Sequence, residues 1–348
     1  MNDDDIDIPG WDEDEDPQEE QRERRRGRLA VFVTLGVVAA LVLGVGIYAA
    51  NYVLKLRDSY DQRTVVSLSR GPSDGDAPAD TEGTNYLLLG SDKRSPADQK
   101  AQHVVGQRSD VMMLVHVNAD RSEVYSISFP RDLYIDVPGH GKDRINSALA
   151  YGGVPLAVTT VENYTGAKID HVALIDFEGI QGLVDVLGGV DVTVPQDFTT
   201  RGATFHQGTQ HVDGKEALAF VRARKNFADG DFQRNRNQQS LMQGIAKKVI
   251  SAGTLSDPGK VSRLVNQVSP FLTTDDGLSA STMASTAFSL RGVRSGDIHF
   301  LSAPHGAPFT TSGGASVVRS DDEGMDVLRK ALSEDDMGTY YAEHVDNG

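Results

Sequence analysis

Three short polar segments carry residue types suited to phosphate chemistry. They are Ser91-Asp92, Arg108-Ser109-Asp110 and Arg131-Asp132. Each sits at the end or the start of an apolar run, at 86–90, 111–117 and 124–129. If the three runs are neighbouring antiparallel strands, the end of the first, the start of the second and the end of the third share one rim. Carboxylates and guanidinium groups then converge there. Oxygen-rich carboxylate sites hold Mg²⁺, which keeps waters and adds phosphate ligands. Arginine forks match phosphate oxygens two at a time. The pattern suits a Mg²⁺-bound phosphate or pyrophosphate, although strand ends collect polar residues in any fold.

A second basic cluster lies farther along. Arg222 and Arg224 are two residues apart, so they share a face if the chain there is extended. Asp231, Arg234 and Gln238 share one side of a helix expected over 231–251. Residues 215–236 hold six basic groups against three acidic ones. The plain alternative is a solvated face with an Asp231–Arg234 pair at the start of the helix.

Other chemistries lack support. The chain has no cysteine, which removes disulfides, thiolate metal sites and a cysteine nucleophile. The nine histidines show no zinc-binding spacing. The run GHGK at 139–142 lacks the upstream glycine of a P-loop, and no G-x-S-x-G elbow occurs. The arginine cluster has no interleaved aromatics, so nucleic acid is not expected as a partner.

The elements that must position these groups follow from the apolar pattern. Strands are expected over 86–90, 111–117, 124–129, 172–177, 190–194 and 298–301. Helices are expected over 155–164, 179–187, 231–251, 260–271 and 279–288. Strands interleaved with helices predict an α/β fold: a single layered α/β/α domain over 84–310 with a central mixed sheet. Residues 29–50 carry no charge and, extended to 54, are long enough to cross a bilayer. Five arginines between 22 and 28 precede them, which predicts a cytoplasmic N-terminus and an extracytoplasmic body, the whole being a single-pass protein of the cell membrane. Residues 1–28 read as an acidic, then arginine-rich cytoplasmic tail. Residues 55–83 read as a flexible extracytoplasmic linker. Residues 311–348 read as an acidic, mostly disordered tail with one short helix near 325–332.

The formal charge of −16 belongs to the ends. Residues 1–28 and 320–348 each sum to −7, whereas 81–319 sum to −1. Overall charge is thus no guide to the ligand of the body.

With these segments in order, the chain resembles the LytR-CpsA-Psr family of Gram-positive bacteria. The matching stretches are NYLLLGSD at 85–92, RSDVMML at 108–114, SISFPRD at 126–132, KDRINSA at 142–148 with Gly152 and Gly153, LGGVD at 187–191, residues 214–224, and DFQRNRNQQ at 231–239. The resemblance implies a membrane-anchored phosphotransferase. It would move an anionic glycopolymer from a polyprenyl-pyrophosphate carrier to peptidoglycan through a phosphodiester, with Mg²⁺ or Mn²⁺ as cofactor. Carried over by motif, Asp92 and Asp110 would hold the metal, and Asp92, Asp110, Arg131, Arg222 and Arg224 would be the catalytic set. Arg108, Arg131, Lys142, Arg222, Arg224, Arg234, Gln238 and Gln239 would bind the pyrophosphate. The polyprenyl chain would lie in an apolar tunnel between sheet and helices. Many relatives have an arginine where this chain has Asn237. Teichoic acid, arabinogalactan and capsular polysaccharide all fit as the polymer. The competing readings are a polyprenyl-pyrophosphate phosphatase, which would use water as acceptor, and a non-catalytic lipid- or wall-binding protein.

Overall fold

The structure is a computed structural model. It describes residues 57–68 except 59, 81–91, and 109–345 except 225, 228–229 and 251–257. The expected cytoplasmic tail and membrane helix fall outside the described residues. Among the described residues, no helix is long and apolar enough to cross a membrane.

Seven strands form the central sheet. They are β1 (Thr64–Val66), β2 (Thr84–Ser91), β3 (Ser109–Val117), β4 (Val124–Ser128), β7 (His171–Asp176), β12 (Leu272–Asp275) and β13 (Ile298–Ser302), in the order β1-β12-β7-β2-β3-β4-β13. Pairing is mixed. β2-β3, β3-β4 and β12-β7 are antiparallel, and β2-β7, β1-β12 and β4-β13 are parallel. The three site-bearing strands are therefore antiparallel neighbours, as the sequence predicts. β1 lies within the segment read as linker, so part of that segment is sheet.

Side chains alternate across the strands. One face presents Leu87, Leu89, Met112, Leu114, Ile127, Val172 and Leu174, all buried in the main core. It is covered by α1 (Ser147–Thr165), α7 (Asp322–Ser333) and α8 (Met337–His344). The other face presents Tyr86, Leu88, Val111, Val115, Ala173 and Ile175, which are apolar and half-buried, together with Met113, which is buried. α4 (Gly230–Ile250) and α6 (Ala280–Ser289) reach this face at different corners. Gln239 bonds Ser128 and Ser302 there, and Tyr86 bonds Thr286.

A second, smaller core lies beside the sheet. It gathers α2 (Phe177–Val186), β8 (Val190–Val194), β9 (Phe198–Thr200), β10 (Ala203–Phe205), β11 (Gly208–Val212), α3 (Gly214–Val221) and α4 around Phe205 and Phe220. α3 begins with a reciprocal cap between Asp213 and Glu216. α5 (Pro258–Val268) packs on α2.

The C-terminal region corrects the sequence reading, because residues 311–345 are folded. β14 (His305–Thr310), β15 (Ser316–Ser320), β5 (Leu133–Val137) and β6 (Gly141–Arg144) form a four-stranded sheet in the order β14-β15-β5-β6. Met325, Leu328 and Leu332 of α7 are fully buried, as is Met337 of α8 at 1 %. The carboxylate of Asp335, in the turn between the two helices, accepts from His116 at 2.8 Å and from the Ala119 N–H at 2.9 Å. The acidic composition hid a one-sided stripe of apolar residues at helical spacing. The acids at 321–323 cap and complement the positive end of α7.

Candidate functional site

The rim expected from the sequence is present in the backbone. Ser91, the last residue of β2, pairs with Ser109 on one side and with Asp176 on the other. Gly90 pairs with Val111, so Asp110 is the extra residue of a β-bulge. The bulge brings β3 so close that a Cβ on Gly90 would sit 2.9 Å from that of Val111. On the far side, Phe129 N–H donates to Met112 O, and the chain turns into Pro130 and Arg131. Asp92 and Arg108 lie outside the described residues, and Asp110 is placed by its backbone alone.

Ser91 is fully buried at this rim, and its hydroxyl finds no partner among the described residues. A buried orphan hydroxyl is uncommon and is explained by a water or an ion. Ser91, Asp92 and Asp110 all carry oxygen donors, the donor type that Mg²⁺ or Mn²⁺ takes. Among the described residues there is no group of three acidic or histidine side chains that could hold a metal.

Arg131 is half-buried, and its Nε donates to Asp132 Oδ2 at 3.2 Å. Arg144 lies 3.6 Å from Asp132 Oδ1, so two guanidinium groups share one carboxylate. Lys142 was expected beside the pyrophosphate. It is exposed on β6 opposite Asp136, and Arg144, two residues on, reaches the Arg131 cluster instead. Arg144 belongs to the KDRINSA run. The strand period of two puts residues 142 and 144 on one face, and the path of β6 past Asp132 brings the second to Arg131.

The second cluster depends on α3 and α4. Arg222 ends α3, half-buried, and Arg224 is exposed, with Ala223 buried between them. The loop is tied down by Asn226, whose Nδ2 donates to Thr199 O at 3.0 Å, and by Phe227 edge-on to Phe198. On α4, Arg234 and Gln238 are buried at 5 % and 6 %. Asn237 is 1 % exposed, and its Nδ2 donates to Phe220 O at 3.2 Å, in the last turn of α3. Gln233 Nε2 in turn donates to Asn237 Oδ1 at 2.9 Å. The asparagine where many relatives have arginine thus holds the helix that leads into Arg222. Arg236 is exposed and bonds Gln233.

Gln239 joins the two clusters. Its Nε2 donates to Ser128 Oγ at 2.5 Å and to Ser302 Oγ at 3.1 Å. Ser128 is three residues before Arg131. Groups far apart in sequence are therefore linked by one path: Arg131, Ser128, Gln239, Asn237, Phe220, Arg222. Gln239 spends its amide on the scaffold, which makes it a positioning residue.

The resulting arrangement is a half-covered apolar sheet face that ends at a rim carrying Ser91, Arg131 and Asp132. The family model described as LytR_cpsA_psr family matches residues 48–334. The chain belongs to the LytR-CpsA-Psr family. Among its relatives is the polyisoprenyl-teichoic acid–peptidoglycan teichoic acid transferase TagU of Bacillus cereus (strain AH820), 36 % identical over 234 residues, which are 66 % of this chain and 75 % of that protein. The solved structure of B. subtilis TagV superposes with a TM-score of 0.61 at 26 % identity, covering 72 % of this chain and 95 % of that one. A structure of TagT bound to LI-WTA gives 0.58 at 27 %, covering 78 % and 99 %. The mixed central sheet is that of the family.

Proposed function

We propose that this chain moves an anionic glycopolymer from a polyprenyl-pyrophosphate carrier to peptidoglycan, through a phosphodiester, in a Mg²⁺-dependent reaction on the outer side of the membrane. As a member of this family the chain is an enzyme, a transferase. The observation that carries the finer reading is the half-buried face of Tyr86, Leu88, Val111, Val115, Ala173 and Ile175. It runs toward Gly90 and Ser91, where the charged groups begin. A prenyl chain on that face places its pyrophosphate at the rim.

Charge neutralisation and positioning are most of what phosphoryl transfer needs. Arg131, Arg222, Arg224 and Arg234 grip the pyrophosphate, with Arg108 and Gln238 beside them. Asp92 and Asp110 would hold Mg²⁺, which would supply positive charge to help neutralise the pyrophosphate. An acceptor hydroxyl of peptidoglycan attacks the sugar-proximal phosphorus. The bond from that phosphorus to the bridging oxygen breaks, and polyprenyl phosphate leaves. The hydroxyl proton passes to Asp92 or Asp110. The apolar run over 29–54, preceded by arginines, anchors the chain with its body outside.

The test incubates the full chain with Mg²⁺, a lipid-pyrophosphate-linked glycan and peptidoglycan oligomers, with products read by mass spectrometry. A phosphodiester-linked product is expected. Phosphate or glycosyl phosphate released at the same rate without peptidoglycan would replace the transferase with a phosphatase.

A further inference from the structure

The outer face of the β14-β15-β5-β6 sheet continues the arginine cluster. Arg319 pairs with Tyr134 across the parallel β15-β5 ladder, and Tyr134 pairs with Arg144 across β5-β6. Residues opposite one another in a ladder point to the same side. Arg319, Tyr134 and Arg144 therefore form one row, and Lys142 follows Arg144 on that side. Phe309 of β14 leans over the row. Its ring is 5.8 Å from that of Tyr134, and the Arg319 guanidinium lies 4.9 Å from its centre. Arg144 then joins Arg131 through Asp132. Arg319 and Lys142 are exposed, and Tyr134, Phe309 and Arg144 are half-buried, so the stripe faces solvent along its length.

With the proposed function as its basis, we infer that this stripe holds the first phosphate-bearing sugar repeats of the donor polymer, outward of the pyrophosphate. Charge complementarity and continuity with the rim both support this occupant. Arg131, Arg144, Arg319 and Lys142 lie near Asp132 and Asp136, with Asp143 also within reach of Arg144, and Asp132 is already shared between two of the arginines. Arg319 and Arg144 are two strand spacings apart, about 10 Å, so the stripe presents separate cations along its length. Phe309 and Tyr134 supply ring faces and edges to the sugars between them.

The test uses the full chain in detergent and three probes. These are a lipid pyrophosphate bearing one disaccharide, the same lipid extended by several sugar-phosphate repeats, and a peptidoglycan oligomer. The native protein should bind the extended donor more tightly than the short one. Arg319→Gln and Phe309→Ala should each shrink that ratio of Kd values about fivefold, as loss of one exposed phosphate or stacking contact implies. Arg319→Lys should restore part of it. A ratio unchanged in both variants overturns the inference. So does a selective loss of peptidoglycan binding, which would give the face to the acceptor. If the native protein binds neither lipid pyrophosphate, the proposed function itself falls and takes the inference with it.

Discussion

Leu328→Ala tests whether the C-terminal helices belong to the catalytic body. Leu328 is fully buried on α7, in the core that also holds Leu87, Leu114 and Ile127 of the central sheet. Truncation removes its transfer free energy and leaves a cavity between layers that cannot fully collapse, a cost of about 3 kcal/mol. For a folded body of this size that lowers Tm by roughly 6–10 °C. Val327, the preceding residue, is 42 % exposed on the same helix. Val327→Ala should change stability by about 0.5 kcal/mol or less. Thermal unfolding of the two variants, followed by far-ultraviolet circular dichroism, measures the difference with local helix effects nearly matched. The effect should reach the site as well. Val318 N–H donates to Asp132 O at 2.8 Å, so β15 holds the carbonyl of the residue that pairs Arg131 with Arg144. If Leu328→Ala unfolds within about 2 °C of Val327→Ala, α7 does not share the core and the reasoning fails. A chain ending at residue 310 loses Val317, Val318, Met325, Leu328, Leu332, Met337 and Tyr340 from the buried set. At about 1.5–3 kcal/mol per side chain that exceeds most of the stability of a typical domain, so the truncated chain should not fold.

Asn237→Ala should lower turnover about tenfold through the freed end of α3, with a stability loss of about 1–3 kcal/mol; a variant that transfers polymer at the native rate would remove Asn237 as a positioning residue. Chelation of divalent metal should abolish transfer, and added Mg²⁺ or Mn²⁺ should restore it for the native chain but poorly for Asp92→Asn or Asp110→Asn; full activity in chelator would discard the metal. Burial works to raise the Asp275 carboxyl, but hydrogen bonds from His171 and from the N–H groups of Val172 and Leu278 outweigh it and hold the group below its usual range. Its stabilisation is complete above the unfolded value of about 4 and is lost as pH falls through the lower folded value. Asp275→Asn should therefore flatten the acid limb of a urea-midpoint-against-pH curve, and an unchanged limb would exclude it.

Much of the site was legible because strand ends are local features. The runs before Asp92 and Arg131 and after Asp110 have the length and apolar character of strands, and their polar termini mark a rim before any fold is known. Ladder pairing then confirmed the antiparallel order. Lys142 and Arg144 could not be separated in this way. Both lie on one side of a strand, and only the path of β6 past Asp132 decides which reaches Arg131. Asn237 looked like a gap in a basic motif, and its role rests on Phe220 O, which sequence spacing does not bring near.

The sequence by itself determined the α/β pattern, the clustered arginines and aspartates, and the charge confined to the two ends, because periodicity, composition and motif order are properties of neighbours along the chain. Only the tertiary structure decided that an acidic C-terminal segment is core, that Gln239 and Asn237 are struts between the two clusters, and that β15 lies beside β5 and carries the arginine stripe outward. Those outcomes depend on which face of one element meets which face of another, and burial against a distant partner leaves no period in the sequence that would identify the partner.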